Sequence, residues 1–445
     1  MTRTKIIVLD DDPTGSQTVH SCLLLTRWDV ATLKEAFADS APLFFVLTNT
    51  RGVDATRAAA ITREVCRNVK HALAGEDIQP IIVSRSDSTL RGHYPVETDV
   101  IAEELGPFDA HFLVPAFFEA GRFTRDSIHY LKSDGQNIPV HETEFARDSV
   151  FSYHHSFLPG YVEEKTKGHI KADAVIRFLL ADVRSGVADR MLRLQDNACV
   201  VVDAETQSDL DRFTDDVQCA VTAGKRFLFR SAASLLTSLA RLPPQPVAAE
   251  KMGRYTRDGR PGAVIVGSHV PKTTQQLAQL LKQSGVVGLE VDVTQLPEMH
   301  DTLLKVLLEK VQAAHDTGKV AVIYTSRIER TFADQAARLA FGERVSAFLM
   351  DVVRGLPPTL GWLVAKGGIT SNDVLSSGLE LNTIRLLGQI LPGISVVRLP
   401  PDHPRFPGMP VVIFPGNVGD DQALAEVCRR LYGTPNAQNP ASQHA

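Results

Sequence analysis

The stretch IIVLDDDPTGS, residues 6 to 16, joins an apolar run to three consecutive aspartates and a Pro-Thr-Gly turn. The run from Lys5 to Asp10 predicts a buried strand that ends at this acidic cluster. Because carboxylates side by side are costly to bury, Asp10, Asp11 and Asp12 are expected to face water, a cation or a ligand that needs an acid or a base. The end of the first strand is therefore a candidate site.

Short β-rich runs alternate with amphipathic helical patterns along the whole chain. This βαβ alternation is typical of parallel sheets covered by helices. We therefore expect an α/β fold class, with two α/β domains, largely parallel sheets and a ligand cleft between them. The predicted strands are residues 5–10, 43–48, 80–84, 111–115, 199–203, 226–229, 263–267, 287–291, 320–324, 362–366 and 411–414, and the predicted helices are 54–74, 207–223, 272–283, 301–314, 331–353 and 421–431.

One segment separates the two halves. Residues 242–262, LPPQPVAAEKMGRYTRDGRPG, combine prolines, glycines and charges with little apolar periodicity, which is typical of an interdomain connection. We predict a first domain over residues 1–243, a linker or hinge over 244–262, a second domain over 263–433 and a flexible tail over 434–445. Within the first domain, residues 117–169 are either a structured excursion that covers a site or contacts another subunit, or a meandering surface insertion.

Composition excludes several classes of protein. The chain has 445 residues, a formal net charge of −5 and 44% apolar residues, which is the profile of an ordinary globular protein without a broad basic surface. Nucleic acid is therefore not an expected partner. Five scattered cysteines favour a reducing compartment over a disulfide framework or a zinc site. No apolar run approaches the roughly 20 residues of a membrane helix, so we expect a cytoplasmic protein.

Polar side chains follow several predicted strands of the first half. After the second strand come Thr48 to Arg51, and after the third comes SRSDSTLRGH, residues 84–93, with Asp87, Ser88, Thr89 and Arg91. The carboxyl ends of parallel strands are where ligands collect in open α/β sheets. Arginine forks suit a carboxylate, while aspartate and serine suit hydroxyl groups. These residues predict a site for a small polyhydroxy acid.

Glycine turns follow the predicted strands of the second half instead. They are Gly267-Ser268, Gly367-Gly368-Ile369-Thr370 and Gly416-Asn417-Val418-Gly419. Glycine lets backbone N–H groups approach phosphate oxygens, and a following helix adds a favourable dipole. The turns predict a cradle for nucleotide phosphates, although no GxxxxGK[ST] sequence is present.

Two other functions fit parts of the sequence. Asp10-x-Asp12-x-Thr14 matches the first motif of haloacid dehalogenase-like phosphatases, with Lys366 as their lysine and residues 411–424 as their acidic metal loop. In that loop Asn417 stands where the first acid is expected, and nearly the whole chain would have to be an insertion between motifs. A nonenzymatic sugar-acid sensor is a third hypothesis, which leaves the glycine turns of the second half unexplained.

Taken together and in order, the motifs resemble those of the four-carbon acid sugar kinases, the former DUF1537 family. DDDPTGS resembles the DDxTG signature, SDSTLRG the K-x-D-S-T-x-R-G signature, and VPAFFEAGR the PAFPxxGR stretch. GSHVPKTTQQL, GGITSNDV and FPGNVGDDQAL resemble the nucleotide-binding motifs of that family. Pro13 replaces the commoner Phe, Arg85 replaces the commoner Lys, and the segment around residues 130–167 is longer than expected.

The resemblance implies ATP-dependent phosphorylation of threonate, erythronate or 3-oxo-tetronate at the terminal hydroxyl, with Mg²⁺. It implies an acid-binding first domain and an ATP-binding second domain. A homodimer is also an expectation, and the metal ligands stay open. We predict that Asp12, or else Asp87, is catalytic and accepts the hydroxyl proton, and that Arg51 and Arg91 anchor the carboxylate. The acid would face Asp11, Asp12, Arg51, Asp87, Ser88, Thr89 and Arg91, and ATP would face Ser268, Gly367, Gly368, Ile369, Thr370 and Gly416.

Overall fold

A computed structural model describes residues 3–12, 14–133, 135–327 and 335–432 of the chain. The chain divides into two compact units. The first is Met1–Gln245 with Glu380–Gly388, and the second is Pro246–Leu379 with Gln389–Ala445. Residues from Pro246 onward thus belong to the second unit, where Met252 of the predicted linker is buried. A hinge in that segment stays a prediction.

The first unit is built on a parallel sheet in the strand order β2-β3-β1-β4-β11-β5-β10-β9. β1 lies between β3 and β4, and Asp10 at its carboxyl end aligns with Leu47 and Arg85. Three polar loops therefore leave the same edge of the sheet side by side. The strands are β1 Arg3–Asp10, β2 Leu23–Leu25, β3 Leu43–Leu47, β4 Ile78–Arg85, β5 Ala110–Val114, β6 Arg122–Arg125, β7 Ile128–Ser133, β8 Gln136–Pro139, β9 Ile176–Phe178, β10 Ala198–Val202 and β11 Phe227–Ser231.

Helices cover this sheet. In α2, Asp54 caps the helix by accepting a hydrogen bond from the Arg57 amide, and Ala58, Val65 and Val69 are buried in the core, as the periodicity predicts. The helices are α1 Val30–Ala38, α2 Ala55–Leu73, α3 Val96–Leu105, α4 Leu158–Lys165, α5 Leu180–Ser185, α6 Ala188–Leu192, α7 Gln207–Thr222 and α8 Ala233–Ala240, with short 3-10 turns at Thr50–Gly52, Phe118–Ala120, Val140–Glu142, Glu144–Arg147 and Ala172–Ala174.

The second unit has its own parallel strands in the order β13-β14-β12-β15-β18, with β17 antiparallel to β18. β12, β15 and β18 are neighbours, so the three glycine turns leave one edge together. The strands are β12 Ala263–Val266, β13 Val286–Val291, β14 Val320–Thr325, β15 Leu363–Lys366, β17 Ile394–Arg398 and β18 Pro410–Phe414, and the helices are α9 Pro271–Leu280, α10 Leu296–Asp316, α11 Gln335–Gly355, α12 Gly368–Asp373 and α13 Ala423–Tyr432, with a 3-10 turn at Ala249–Tyr255 and a π turn at Val374–Gly378. The strand β16 Thr383–Leu391 belongs to the first unit up to Gly388 and to the second unit from Gln389.

The predicted α/β fold class with largely parallel sheets is confirmed. The sequence does not predict the strands β2, β6, β7, β8, β9, β16 and β17. Residues 383–385 of β16, which belong to the first unit, pair antiparallel with β2. The predicted helix over 331–353 is described from Gln335; its first four residues and the predicted tail over 434–445 lie outside the described residues. Within the described ranges, no helix is both long and apolar enough to cross a membrane.

Candidate active site

Arg51 is the centre of a charge cluster at the carboxyl edge of β1, β3 and β4. Its guanidinium group lies 2.6 Å from Asp11 Oδ1, 3.3 Å from Asp12 Oδ2 and 3.7 Å from Asp87 Oδ1. These carboxylates come from the loops that follow β1 and β4, while Arg51 comes from the loop after β3. One cation thus links two adjacent acids, Asp11 and Asp12, to Asp87, which is distant from them in sequence. The structure brings together these four predicted residues.

Asp12 and Asp87 are the two carboxylates of this cluster that reach the surface. Their side chains are 23% and 13% exposed, whereas Asp11 is 2% exposed. Although burial alone would raise it, the charges of Arg51 and Arg85 and the hydrogen bonds from Thr14 lower the pKa of Asp12. The pKa of Asp87 is also held below its usual range against burial, by Arg51, Arg91 and Thr89. Both carboxylates are therefore ionised at neutral pH.

Asp10 has a different environment. Its side chain is fully buried, one oxygen lies 3.2 Å from Arg85 Nη1, and burial raises its pKa to about 7. Gly15 closes over it so tightly that a Cβ at that position would lie 2.1 Å from Asp10 Oδ2. In the phosphatase hypothesis, Asp10 attacks the phosphorus atom of the substrate and must therefore be able to reach it. The enclosure of Asp10 argues against this hypothesis.

Asp11 is held by a buried network of hydrogen bonds and an ion pair, which the sequence does not predict. Ser86 donates to Asp11 Oδ2 at 2.6 Å, and Arg230 Nη2 donates to Ser86 Oγ at 2.7 Å. Arg230 is itself paired with Glu97 at 2.6 Å. This network therefore holds Asp11 in place, and Asp11 in turn fixes the position of Arg51 through their ion pair. Arg230 lies just past a predicted strand and Glu97 on an unpredicted helix, so no local pattern signalled either residue.

Residues 117–169 are a structured excursion, not a loose insertion. β6, β7 and β8 form an antiparallel sheet, and α4 follows. Three side chains of the excursion donate to three successive carbonyl oxygens of the loop after β4: His129 to Ser88 at 2.7 Å, Tyr153 to Thr89 at 2.7 Å and Tyr161 to Leu90 at 2.9 Å. The excursion thereby fixes the loop that carries Asp87 and Arg91.

We expect His129 to make the fold sensitive to acid. Burial lowers the pKa of His129 to about 4, below the unfolded value of about 6.5. Its neutral form therefore stabilises the fold fully above about pH 6.5, and that stabilisation is lost as the pH falls toward 4. Between pH 7.5 and 5, the wild type should lose about 2 kcal/mol more of its free energy of unfolding than His129→Gln. Urea denaturation at both pH values measures this loss.

A matched control is His71→Gln, because His71 is exposed on α2. That variant should keep the acid sensitivity of the wild type. Equal losses in wild type and His129→Gln would show that the imidazole does not titrate in this way.

The predicted residues Ser88, Thr89 and Arg91 take different positions in the loop after β4. Ser88 and Thr89 are buried, and the Thr89 hydroxyl donates to Asp87. Arg91 is partly exposed, lies 2.8 Å from Asp87 Oδ2 and 3.6 Å from Asp148, and stacks 5.0 Å from the centre of the Phe145 ring. The two hydroxyl residues thus shape the loop, while Arg91 borders its surface.

The positive charge of Arg122 is less strongly neutralised by nearby carboxylates than the charge of Arg51 or Arg91. Its Nη1 donates to the Ala120 carbonyl at 2.5 Å, and within the described part of the chain no carboxylate lies within 4 Å of its guanidinium group. Asp87 and Glu144 are the acids close enough to influence it, and burial lowers its pKa. Arg122 ends the motif VPAFFEAGR, and no role for it follows from the sequence.

The glycine turns of the second unit converge on Ser268, which follows β12. A Cβ at Gly367 would lie 2.8 Å from Ser268 Cβ, and Gly367 has a φ of +118° that other residues rarely adopt. A Cβ at Gly416 would lie 3.3 Å from Ser268 Oγ. Ser268, Gly367 and Gly416 are thus brought together. Of the other predicted residues, Gly368 begins α12, Ile369 is 68% exposed and Thr370 is buried with its hydroxyl toward Gly267.

This arrangement fits nucleotide phosphates better than it fits a preformed metal site. Gly367 and Gly416 let their turns approach Ser268 more closely than a side chain would allow. Backbone amides at such turns bind phosphate oxygens. Among the described residues, no group of three or more His, Cys, Asp or Glu side chains is arranged to hold a metal ion. Mg²⁺ is commonly held by substrate phosphates, waters and one or two carboxylates, so it would need no such cage.

Two family models match successive parts of the chain. Residues 6–239 match the family model of a sugar-binding N-terminal domain, and residues 263–424 match that of a nucleotide-binding C-terminal domain. The chain is 23% identical to a D-erythronate kinase of Heliobacterium modesticaldum over 94% of this chain and 95% of the relative. It is 24% identical to a D-threonate kinase of Bordetella bronchiseptica over 95% of this chain and 96% of the relative.

A solved structure shows the same fold. A DUF1537 protein of Haemophilus influenzae superposes with a TM-score of 0.63 at 17% sequence identity, covering 95% of this chain and 98% of the other. A sugar-binding domain followed by a nucleotide-binding domain defines a small-molecule kinase, and this chain is an enzyme of that class. It belongs to the four-carbon acid sugar kinase family, formerly DUF1537, which confirms the resemblance seen in its motifs.

Proposed function

We propose that the chain transfers the terminal phosphoryl group of ATP to the terminal hydroxyl of a four-carbon sugar acid, namely threonate, erythronate or 3-oxo-tetronate. The observation that carries the proposal is the pair of ionised, partly exposed carboxylates, Asp12 and Asp87, held by one arginine. Carboxylates of this kind accept hydrogen bonds from sugar hydroxyls. The printed names of the relatives from Heliobacterium and Bordetella support the same substrate class.

Asp12 is the group we assign to the reacting hydroxyl. Thr14 holds its Oδ1 through two hydrogen bonds of 2.8 and 2.6 Å, while its Oδ2 contacts Arg51 alone among the described hydrogen-bonding groups. Asp12 orients the hydroxyl and accepts its proton as the bond to phosphorus forms. A low pKa suffices, because phosphoryl transfer depends more on positioning than on a strong base. ATP with Mg²⁺ supplies the phosphoryl group and neutralises its charge.

The carboxylate of the acid needs a cation that the protein has not already neutralised. Arg51 lies within 4 Å of three aspartates, which neutralise most of its charge. Arg91 shares Asp87 with it, and Arg122 has no carboxylate partner within 4 Å in the described residues. We therefore extend the predicted anchors, Arg51 and Arg91, to include Arg122. A guanidinium group suits the planar carboxylate well.

Replacing Gly367 with alanine should weaken the use of ATP. The residue has a φ of +118°, and a methyl group there would lie 2.8 Å from Ser268 Cβ, so the turn must distort. Strain of this kind costs on the order of 1–3 kcal/mol. We expect the KM for ATP to rise about 10- to 100-fold in steady-state assays.

The matched control is Gly318→Ala in the same unit. Gly318 also has a positive φ, of +70°, but no atom of the described residues lies within 4 Å of the added methyl group. Its KM for ATP should stay within about twofold of wild type, because Gly318 precedes β14 and any strain arises at the edge of the sheet opposite the glycine turns. An unchanged KM in Gly367→Ala would remove this turn from the nucleotide site.

The test of the proposed function is ADP release from ATP and Mg²⁺ with a panel of D- and L-threonate, D- and L-erythronate and 3-oxo-tetronates. Threitol and erythritol, which lack the carboxylate, are included to measure its contribution. Acid-dependent ADP release supports the proposal and ranks the substrates. Hydrolysis of p-nitrophenyl phosphate without need for ATP would support the phosphatase hypothesis instead. A homodimer and a cytoplasmic location stay predictions.

A further inference from the structure

Lys366 is a buried cation at the centre of the glycine turns. It ends β15 directly before Gly367, and its side chain is 0% exposed. Its ammonium group donates to the carbonyls of Pro415 at 2.5 Å and Gly416 at 3.1 Å, and lies 4.1 Å from the centre of the Phe414 ring. Lys366 therefore joins the turn after β15 to the turn after β18.

The described residues include no anionic side chain that pairs with this lysine. In the described part of the chain, no carboxylate lies within 4 Å of its ammonium group. Lys272 of α9 adds a second positive charge nearby and is itself paired with Asp421 at 3.3 Å. A buried ammonium group without an anion is costly, so such groups are normally paired. The site thus has an excess of positive charge toward which an anion would be drawn.

The two carbonyls bound by Lys366 also fix the direction of two amides. In a trans peptide unit the C=O and the N–H point in opposite directions. Because the Pro415 and Gly416 carbonyls point at Lys366, the N–H groups of Gly416 and Asn417 point away from it. Neither amide donates to another group among the described residues. Two successive free N–H groups make a concavity that binds anions.

We propose that Lys366 is a positioning residue of the nucleotide site, which turns the amides of Gly416 and Asn417 toward the phosphates and whose buried charge those phosphates balance. This inference rests on the proposed nucleotide-binding role of the second unit. It gives Lys366 a function other than the phosphatase role considered from the sequence. The Thr273 hydroxyl supports the same turn by donating to the Gly416 carbonyl at 3.1 Å.

The proposal predicts that nucleotide binding takes up a proton. Burial, with a smaller contribution from Lys272, lowers the pKa of Lys366 to about 7, and a nearby anion favours the charged form. At pH 8 the free protein should therefore hold a mostly neutral lysine and the complex a protonated one. Burial lowers the pKa of His269 from its ordinary value, so His269 is neutral in the free protein at pH 8. The Lys366→Met variant keeps His269 and therefore measures any proton that this residue takes up on binding. The other charged groups on the elements that carry or adjoin the turns are Asp420 and Asp421 after Gly419, Lys272 of α9, Asp373 of α12, and Arg327, which donates to the Ser268 carbonyl.

The experiment is calorimetric titration of the full chain with ADP and Mg²⁺ at pH 8, in two buffers with different ionisation enthalpies. The wild type should take up close to one proton per ADP. Lys366→Met should take up none and bind ADP about 10- to 100-fold more weakly. Lys366→Arg should bind more tightly than Lys366→Met, also without proton uptake, because arginine stays charged.

Lys282→Met is the matched control, because Lys282 is exposed beyond the end of α9; it should behave as the wild type. The wild-type titration needs no variant to fold. ADP binding to the wild type without proton uptake at pH 8 would overturn the inference. A Lys366→Met variant that binds ADP as tightly as the wild type would also overturn it. A wild type that does not bind ADP at all would overturn the proposed function, and this inference with it.

Discussion

Replacing Asp12 with asparagine should lower kcat about 10²- to 10⁴-fold, the usual contribution of a general acid or base. The substitution keeps the shape of the side chain and the contacts that an amide can make with Thr14. It removes the negative charge to which we assign the hydroxyl proton. Because substrate binding depends mainly on other groups, the KM for the sugar acid should change by less than about threefold. Initial rates over a range of acid concentrations separate the two constants.

The Asp87→Asn variant distinguishes Asp12 from the alternate base. Asp87 receives hydrogen bonds from Arg91 at 2.8 Å and from the Thr89 amide at 3.2 Å, and it lies 3.7 Å from Arg51. Its carboxylate orients two arginines, so its loss should raise the KM for the acid more than it lowers kcat. If Asp87→Asn instead shows the larger fall in kcat, the roles of the two aspartates are reversed.

Asp173→Asn is the control for both variants. Asp173 is exposed in the 3-10 turn Ala172–Ala174, away from the strands that carry the site. This variant should keep the kcat and KM of the wild type. An Asp12→Asn variant with a near-normal kcat would show that Asp12 does not accept the proton.

The sequence indicates residues of the candidate site where a polar residue directly follows a predicted strand. Asp12, Arg51 and Asp87 each follow a strand, and parallel strands carry their following loops to one edge of the sheet. The sequence could not give the order β3-β1-β4 that makes these loops neighbours. The adjacency depends on which strands pair, and pairing is decided by packing between residues far apart in the chain.

Residues that support the site were harder to predict. Arg230 and Glu97 are 133 residues apart, and their ion pair exists only because β11 inserts between β4 and β5. The hydrogen bond from His129 to the Ser88 carbonyl joins residues 41 positions apart and depends on the fold of the excursion. β16 was missed although its burial alternates along the strand, because Gly388, with a φ of +133°, interrupts the apolar pattern.

Replacing Arg51 with methionine should lower the free energy of unfolding of the first unit by about 3–5 kcal/mol, the usual cost of removing one partner from a buried ion pair. Asp11 is 2% exposed and loses its 2.6 Å partner, and the other two aspartates then lie close together without this cation. Repulsion between like charges adds to the desolvation cost. Hydrogen exchange of the β1, β3 and β4 amides at increasing urea concentration measures the effect where it arises.

The effect should depend on pH in a defined direction. Arg51 helps to hold the pKa values of Asp12 and Asp87 below their unfolded value of about 3.9. A carboxylate whose pKa is lower in the folded state than in the unfolded state stabilises the fold above its unfolded pKa. That stabilisation is lost as the pH falls through the folded pKa. The difference between wild type and Arg51→Met should therefore be full at pH 7 and should shrink as the pH falls below about 4.

Two further variants separate charge from geometry. Arg57→Met removes an exposed arginine six residues along the chain and should change the free energy of unfolding by less than about 0.5 kcal/mol. Arg51→Lys keeps the charge but not the fork that bonds Asp11 through both Nε and Nη2, so it should recover only part of the loss. If Arg51→Met is as stable as wild type at pH 7, the three aspartates do not depend on this cation, and Asp12 must be kept ionised by Arg85 and Thr14 alone.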